Sequence, residues 1–159
     1  MTSHRLRPVL AAALFAVAIA ALAASFPPPH PTRHAGVRFS SPGPLAGWLI
    51  DAEVATSESE HQRGLQWRSA LAASAGMLFV FDKSADQSFW MFNTLLPLDM
   101  VFLDEDQVVV GVVEHALSGD LTPRTIGKPS SYVLEVAAGE ASAHGVRLGS
   151  RADFTDMKK

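Results

Sequence analysis

The sequence predicts a mainly β domain with a minor helical share: a curved antiparallel sheet or partly closed β-barrel carrying two short helices. Three observations lead there. The apolar segments are short, and they either alternate with polar residues or run unbroken, the signatures of half-buried and fully buried strands. Most links between them are too short for the crossovers that parallel pairs require. Helix start and stop signals occur together at two places only. A chain of 159 residues with 48% hydrophobic content can bury one core.

The first segment, 1–24, reads as an export signal or N-terminal anchor. His4, Arg5 and Arg7 form a charged start, and 9–24 is an unbroken apolar run. Ala21-Leu22-Ala23 fits the small-x-small cleavage pattern, with cutting after Ala23. The run falls short of the roughly 20 residues that span a bilayer, which favours cleavage over anchoring. The domain is therefore expected outside the cytoplasm, in a periplasm, with membrane contact only through this segment if it stays uncleaved. Residues 25–46 form a lead-in whose Pro27-Pro28-Pro29-His30-Pro31 favours an extended tether. The globular domain is expected over 47–159.

Within the body, 37–39 is a short strand candidate. Residues 48–54 alternate, with Trp48, Ile50, Ala52 and Val54 on one face. Ser57-Glu58-Ser59-Glu60 is a capping box that opens a helix, and Gly64 ends it. The run 77–81 is a buried strand, 82–87 a polar turn, and 88–92 and 98–103 two further strands. Residues 104–107 turn the chain back into 108–113, making a hairpin. A loop is expected over 115–129, a strand over 132–137, a short helix over 138–144 closed by Gly145, and a last strand over 147–154.

One stretch stands out. From Phe89 to Asp104 large apolar side chains surround Asn93, Thr94 and Asp99. Polar groups embedded this way must be paired, solvated at a cleft, or functional.

The blocks Glu60-x-x-Arg63-Gly64-Leu65-x-x-Arg68, Gly76-Met77-Leu78-Phe79-Val80-Phe81, Phe89-Trp90-Met91-x-Asn93-Thr94-x-x-Pro97-Leu98-Asp99 and Tyr132-Val133-Leu134-Glu135-Val136-x-x-Gly139 follow one another along the chain. In content and order they resemble the domain of unknown function 192 family over roughly 47–154. The resemblance implies a compact β-rich domain, commonly behind a signal peptide, and brings no established activity. Three departures accompany it: Phe92 stands where the family usually has Lys, Gln66-Trp67-Arg68 where it often has Met-x-Arg, and Gly149-Ser150 where it favours Gly-Asp.

The functional reading is a cleft in which Arg63, Arg68, Asn93, Thr94 and Asp99 meet a small polar ligand, walled by Trp90, with Trp67 a second candidate for the wall. Arginine offers a planar fork for carboxylates or phosphates, and an aromatic plate beside amide and carboxyl groups suits a sugar ring or envelope fragment. A second reading is a hydrolase of envelope saccharides that uses Asp99 and Glu135 as a carboxylate pair. The spacing leaves Glu135 free to face solvent or the opposite side of the sheet. A third is a structural or partner-docking domain, in which Arg63 or Arg68 pairs with Asp99 or Glu135 and Asn93-Thr94 caps a turn.

Composition narrows the alternatives. Net charge is −3, with 13 basic and 16 acidic residues and no long basic run, which argues against nucleic acid. The chain has no cysteine, hence no thiolate metal site and no cysteine nucleophile. His30 and His34 lie on the tether without a fixed third ligand, His61, His115 and His144 lack ligand spacing, and Met77, Met91 and Met100 read as core, so neither a metal nor a cofactor is expected.

Overall fold

The structure is a computed structural model that describes residues 30–40 and 47–157. The apolar N-terminal run and the prolines 27–29 lie outside them. Seven strands make one sheet: β1 (His34–Ser40), β2 (Trp48–Ala55), β3 (Ala75–Asp86), β4 (Leu98–Leu103), β5 (Val109–Ala116), β6 (Pro129–Ala137) and β7 (Arg151–Thr155). Helix α1 (Glu58–Arg63) lies between β2 and β3, and α2 (Glu140–Ala143) between β6 and β7. The spatial order is β5-β4-β6-β3-β2-β1-β7. The sheet curls into a half-barrel and its two edge strands meet at one end. There Val108 bridges Arg151, and the Val109 N–H donates to the Ser150 carbonyl at 2.8 Å.

The mainly antiparallel expectation holds with one exception. β2 and β3 run parallel, Ala52 opposite Gly76 and Val54 opposite Leu78, and are joined through α1 and the stretch 64–74. A parallel pair needs such a crossover, and this one is long enough to carry a helix. The sheet also takes in His34–Ser40, which pairs with β2 on one side and β7 on the other.

Alternation in β2 puts Trp48, Ile50, Ala52 and Val54 inside, as its pattern predicts. All six residues of β4 are buried, because this strand is covered on both faces. One face, with Val37, Ile50, Leu78, Val101 and Leu134, is the inside of the curl. The other, with Met77, Phe79, Met100, Phe102 and Val133, lies under α1 and the segments that follow it. Met77, Met91 and Met100 are fully buried core residues. Gly76 is needed where β3 approaches β6: a Cβ there would lie 2.5 Å from the Glu135 carbonyl oxygen.

The last strand begins at Arg151 rather than at 147, and two expected elements differ in kind. The polar 82–86 stretch is not a turn but the exposed end of β3, which resumes pairing with β6 after a register shift between Val80 and Ala85. Residues 88–92 are not a strand of the sheet. Phe89 exchanges two backbone hydrogen bonds with Arg124, at 2.9 and 2.7 Å, and the Met91 N–H donates to Asp120 at 2.9 Å. Asn93, at φ 52°, then turns the chain. Met91 is buried and Phe89 half-buried, Trp90 and Phe92 are exposed, and the 117–128 loop, not a strand, satisfies the backbone.

Candidate functional site

The capping box forms as written in the sequence. Ser57 Oγ accepts from the Glu60 N–H at 3.3 Å, and Glu60 Oε2 accepts from the Ser57 N–H at 2.9 Å. Although partial burial works against its charge, the Thr56 and Ser57 N–H groups and the Arg33 guanidinium hold the Glu60 carboxyl down to about 2. Arg33, just before β1, reaches Glu60 Oε2 at 2.8 Å and ties the start of that strand to α1. The helix is therefore fixed over the outer face of the sheet with its residues Gln62 and Arg63 turned toward 87–94.

Between α1 and 87–94 lies a cleft of ≈ 320 Å³. Phe79, Phe81, Phe89 and Trp90 give it aromatic walls, and Gln62, Gln87 and Thr94 polar edges. Phe89 packs edge-on against Phe79 with centroids 4.9 Å apart, so the wall is set by interlocked rings. His61 is half-buried: its ring lies 4.6 Å from that of Phe81, and its Nε2 is 3.2 Å from the Ala55 carbonyl oxygen. Trp90, 60% exposed, stands at the mouth beside Phe92.

Glu135 lines this cleft from β6 beneath it. It is 4% exposed, and no hydrogen bond or charge among the described residues acts on its carboxyl. Burial alone pushes its carboxyl up to about 8, so the group is mostly protonated at neutral pH. Its neighbours on the strand, Val133, Leu134 and Val136, are buried on both sides of the sheet. Nothing in an apolar strand requires an acid there.

The other acid has a different place. Met100 lies opposite Glu135 and Asp99 opposite Val136, so the side chains of Asp99 and Glu135 leave opposite faces of the sheet. Asp99 is fully buried, and its Oδ1 accepts from the His115 N–H at 2.9 Å. Its Oδ2 accepts from the Gly139 and Ala141 N–H groups at 2.8 and 3.1 Å. It thereby ties the end of β5 and the start of α2 to β4. A carboxylate-pair mechanism needs its two groups on one substrate, and these two are separated by the sheet.

The remaining candidates divide. Arg63, Trp90 and Thr94 line the cleft with Glu135. Arg63 Nη2 lies 3.2 Å from His30 Nε2, while its Nε and Nη1 are buried without partners, so neither of those N–H groups points into the open cleft. Arg68 is paired with Glu53 at 2.5 Å, not with Asp99 or Glu135. Asn93 is a turn residue: its carbonyl accepts from the Trp67 N–H at 2.9 Å and its amide reaches only Gln66, at 3.5 Å. Thr94 is buried, and its carbonyl accepts from Gly119 and from Ser118 Oγ, at 3.1 and 2.8 Å. Sequence reasoning missed His61, Phe79, Phe81 and Phe89 as wall residues. The three phenylalanines sit in apolar runs that read as strands, His61 in a polar helical run, and only the gap between two covering segments brings them to a cleft.

A half-barrel with a buried acid under an aromatic cleft defines a class of small β domain, and comparison with known proteins gives the family. The family model DUF192, described as "Uncharacterized ACR", matches residues 45–154, and the chain belongs to that family. No curated protein matches. Among solved structures, a candidate transcription regulator from Sinorhizobium meliloti 1021 superposes with a TM-score of 0.73 at 30% identity, covering 80% of this chain and 97% of that one. A protein of unknown function from Novosphingobium aromaticivorans DSM 12444 does so with a TM-score of 0.72 at 29% identity, covering 82% and 94%.

Proposed function

We propose that the domain binds a small polar ligand in the cleft between α1 and 87–94, with Glu135 at its base and Trp90 at its mouth. One observation carries this reading: a carboxyl group that is 4% exposed, unpaired among the described residues, and directed into a cleft. Burial makes this acid costly to ionise, and a bound molecule that meets it in the cleft would offset that cost. The aromatic walls add apolar contact for a sugar-sized body. Arg63 and Thr94 belong to the lining, whereas Arg68, Asn93 and Asp99 serve the framework.

A thermal-shift screen against neutral sugars, peptidoglycan fragments, carboxylates, phosphates and organic cations tests it. A ligand at 100 times its Kd adds about 2.7 kcal/mol to stability, a shift of several degrees. The shift should vanish in Trp90→Ala and Glu135→Gln and survive in Asp99→Asn. A ligand whose binding ignores both cleft variants would place the site elsewhere.

We also infer export, supported by the charged start, the apolar run 9–24 and Ala21-Leu22-Ala23. A mature chain that begins at Ala24 in the periplasmic fraction is the expected result. An intact Met1 on cytoplasmic protein would refute it.

A further inference from the structure

We propose that the ligand of this cleft carries an organic cation, a protonated amine or guanidinium group, that seats on Glu135 among the aromatic rings. This rests on the binding reading above and narrows its chemistry. An acid at the base of an aromatic pocket has two uses. As a neutral group it donates one hydrogen bond to a ligand oxygen. As a carboxylate it pairs with a cation, whose charge the ring faces also attract.

The surroundings favour the second use. The charged or titratable residues around the cleft are Glu58, His61 and Arg63, all on α1. Glu58 adds a second acid at the rim. His61 has its Nε2 at the Ala55 carbonyl. Arg63 has its Nη2 at His30, and its Nε and Nη1 carry no exposed surface. From 87–94 come Gln87, Ser88, Phe89, Trp90, Phe92 and Thr94, none charged. From β3 and β4 come Phe79, Phe81 and, opposite Glu135, Met77 and Met100. No cation is therefore aimed at Glu135 among the described residues, and a ligand cation would be the first charge to meet it. Neutral polar ligands need no acid here, since Gln62, Gln87 and Thr94 already supply donors and acceptors.

The two uses differ in the sign of their pH dependence. A cation binds the ionised acid, so its affinity rises with pH, about tenfold per unit below the carboxyl's raised value near 8, and then levels. A neutral ligand that accepts from the protonated acid instead keeps a level affinity below that value and weakens above it.

NMR titrations with methylguanidinium and with methylurea, which match in shape and differ in charge, separate them between pH 6 and 9, with N-acetylglucosamine as the neutral sugar probe. The expected result is shifts at the amides of the cleft residues, at least about tenfold tighter binding of methylguanidinium than of methylurea at pH 8.5, and affinity that climbs with pH. Glu135→Gln should abolish both the charge preference and the climb. Equal binding of the two probes, or undiminished methylguanidinium binding in Glu135→Gln, overturns the cation assignment. N-acetylglucosamine binding in the cleft without any cation preference overturns it while leaving the binding site standing. Silence from every probe counts against both.

Discussion

Replacing Glu135 by Gln should stabilise this protein, and by an amount that depends on pH. The side chains are nearly isosteric, so packing is preserved and the change removes only the ability to ionise. In the unfolded chain the acid titrates at its ordinary value of 4.5, whereas burial raises it to about 8 in the fold. Between those values the folded state holds a proton that the unfolded state has released, so stability falls as pH rises. Each unit is worth roughly 1.4 kcal/mol. At pH 7 the accumulated penalty is about 3 kcal/mol, a large fraction of the stability of a small domain. Below 4.5 both states are protonated and the penalty disappears; above 8 it reaches its plateau. Urea denaturation of both proteins from pH 4.5 to 9 measures it. His30, held low by burial and by Arg68 and Arg63, titrates with the opposite sign, but it is common to both proteins and drops out of the difference. The glutamine variant should match the wild type near pH 4.5 and exceed it by about 3 kcal/mol at pH 7. A difference that stays flat across the range would mean that Glu135 is solvated or paired, and the reading of the cleft would go with it.

Asp99→Ala strands three N–H groups, those of His115, Gly139 and the buried Ala141. It should lower stability by about 3 kcal/mol or more while leaving ligand affinity unchanged, measured by urea denaturation and by titration of the refolded variant. Gly76→Ala puts a Cβ 2.5 Å from the Glu135 carbonyl oxygen, a backbone atom that cannot move aside, and should cost about 1–3 kcal/mol in the same denaturation assay. Ser57→Ala removes the cap of α1 at a cost of about 1 kcal/mol. Hydrogen exchange should speed up at the amides of 58–64 and not in β4.

Local patterns carried much of the fold. β4 matches its apolar run at both ends, since an unbroken run between turn residues leaves one interpretation. The capping box was legible residue by residue because both halves lie within four positions. Relations between distant segments were not. Period fixes which residues of a strand share a face, but only register says which face of a neighbour they meet. Asp99 and Glu135 look alike in sequence, each an acid among valines, leucines and methionines. A single position of register, Met100 opposite Glu135, sends them to opposite sides. The same limit hid the Arg68–Glu53 pair, which joins a turn to β2. It also hid the pairing of Phe89 with Arg124, a loop residue without strand composition.

The position of the cleft follows from the one parallel pair in the sheet. A hairpin between β2 and β3 would have left the outer face of β3, β6 and β4 to be covered by other means. The parallel arrangement instead sends residues 56–74 across that face before β3 begins, with α1 on the way. The 87–94 segment, bound through its backbone to the 117–128 loop, covers the same face from the other side. Neither was built to pack against the other as strands of a sheet do, and where they fail to meet, β6 is open to a cleft. Along β6 the residues at that opening could all have been apolar, as Val133 and Val136 are. The acid stands where the two covers leave a gap, at the base of the cleft between them.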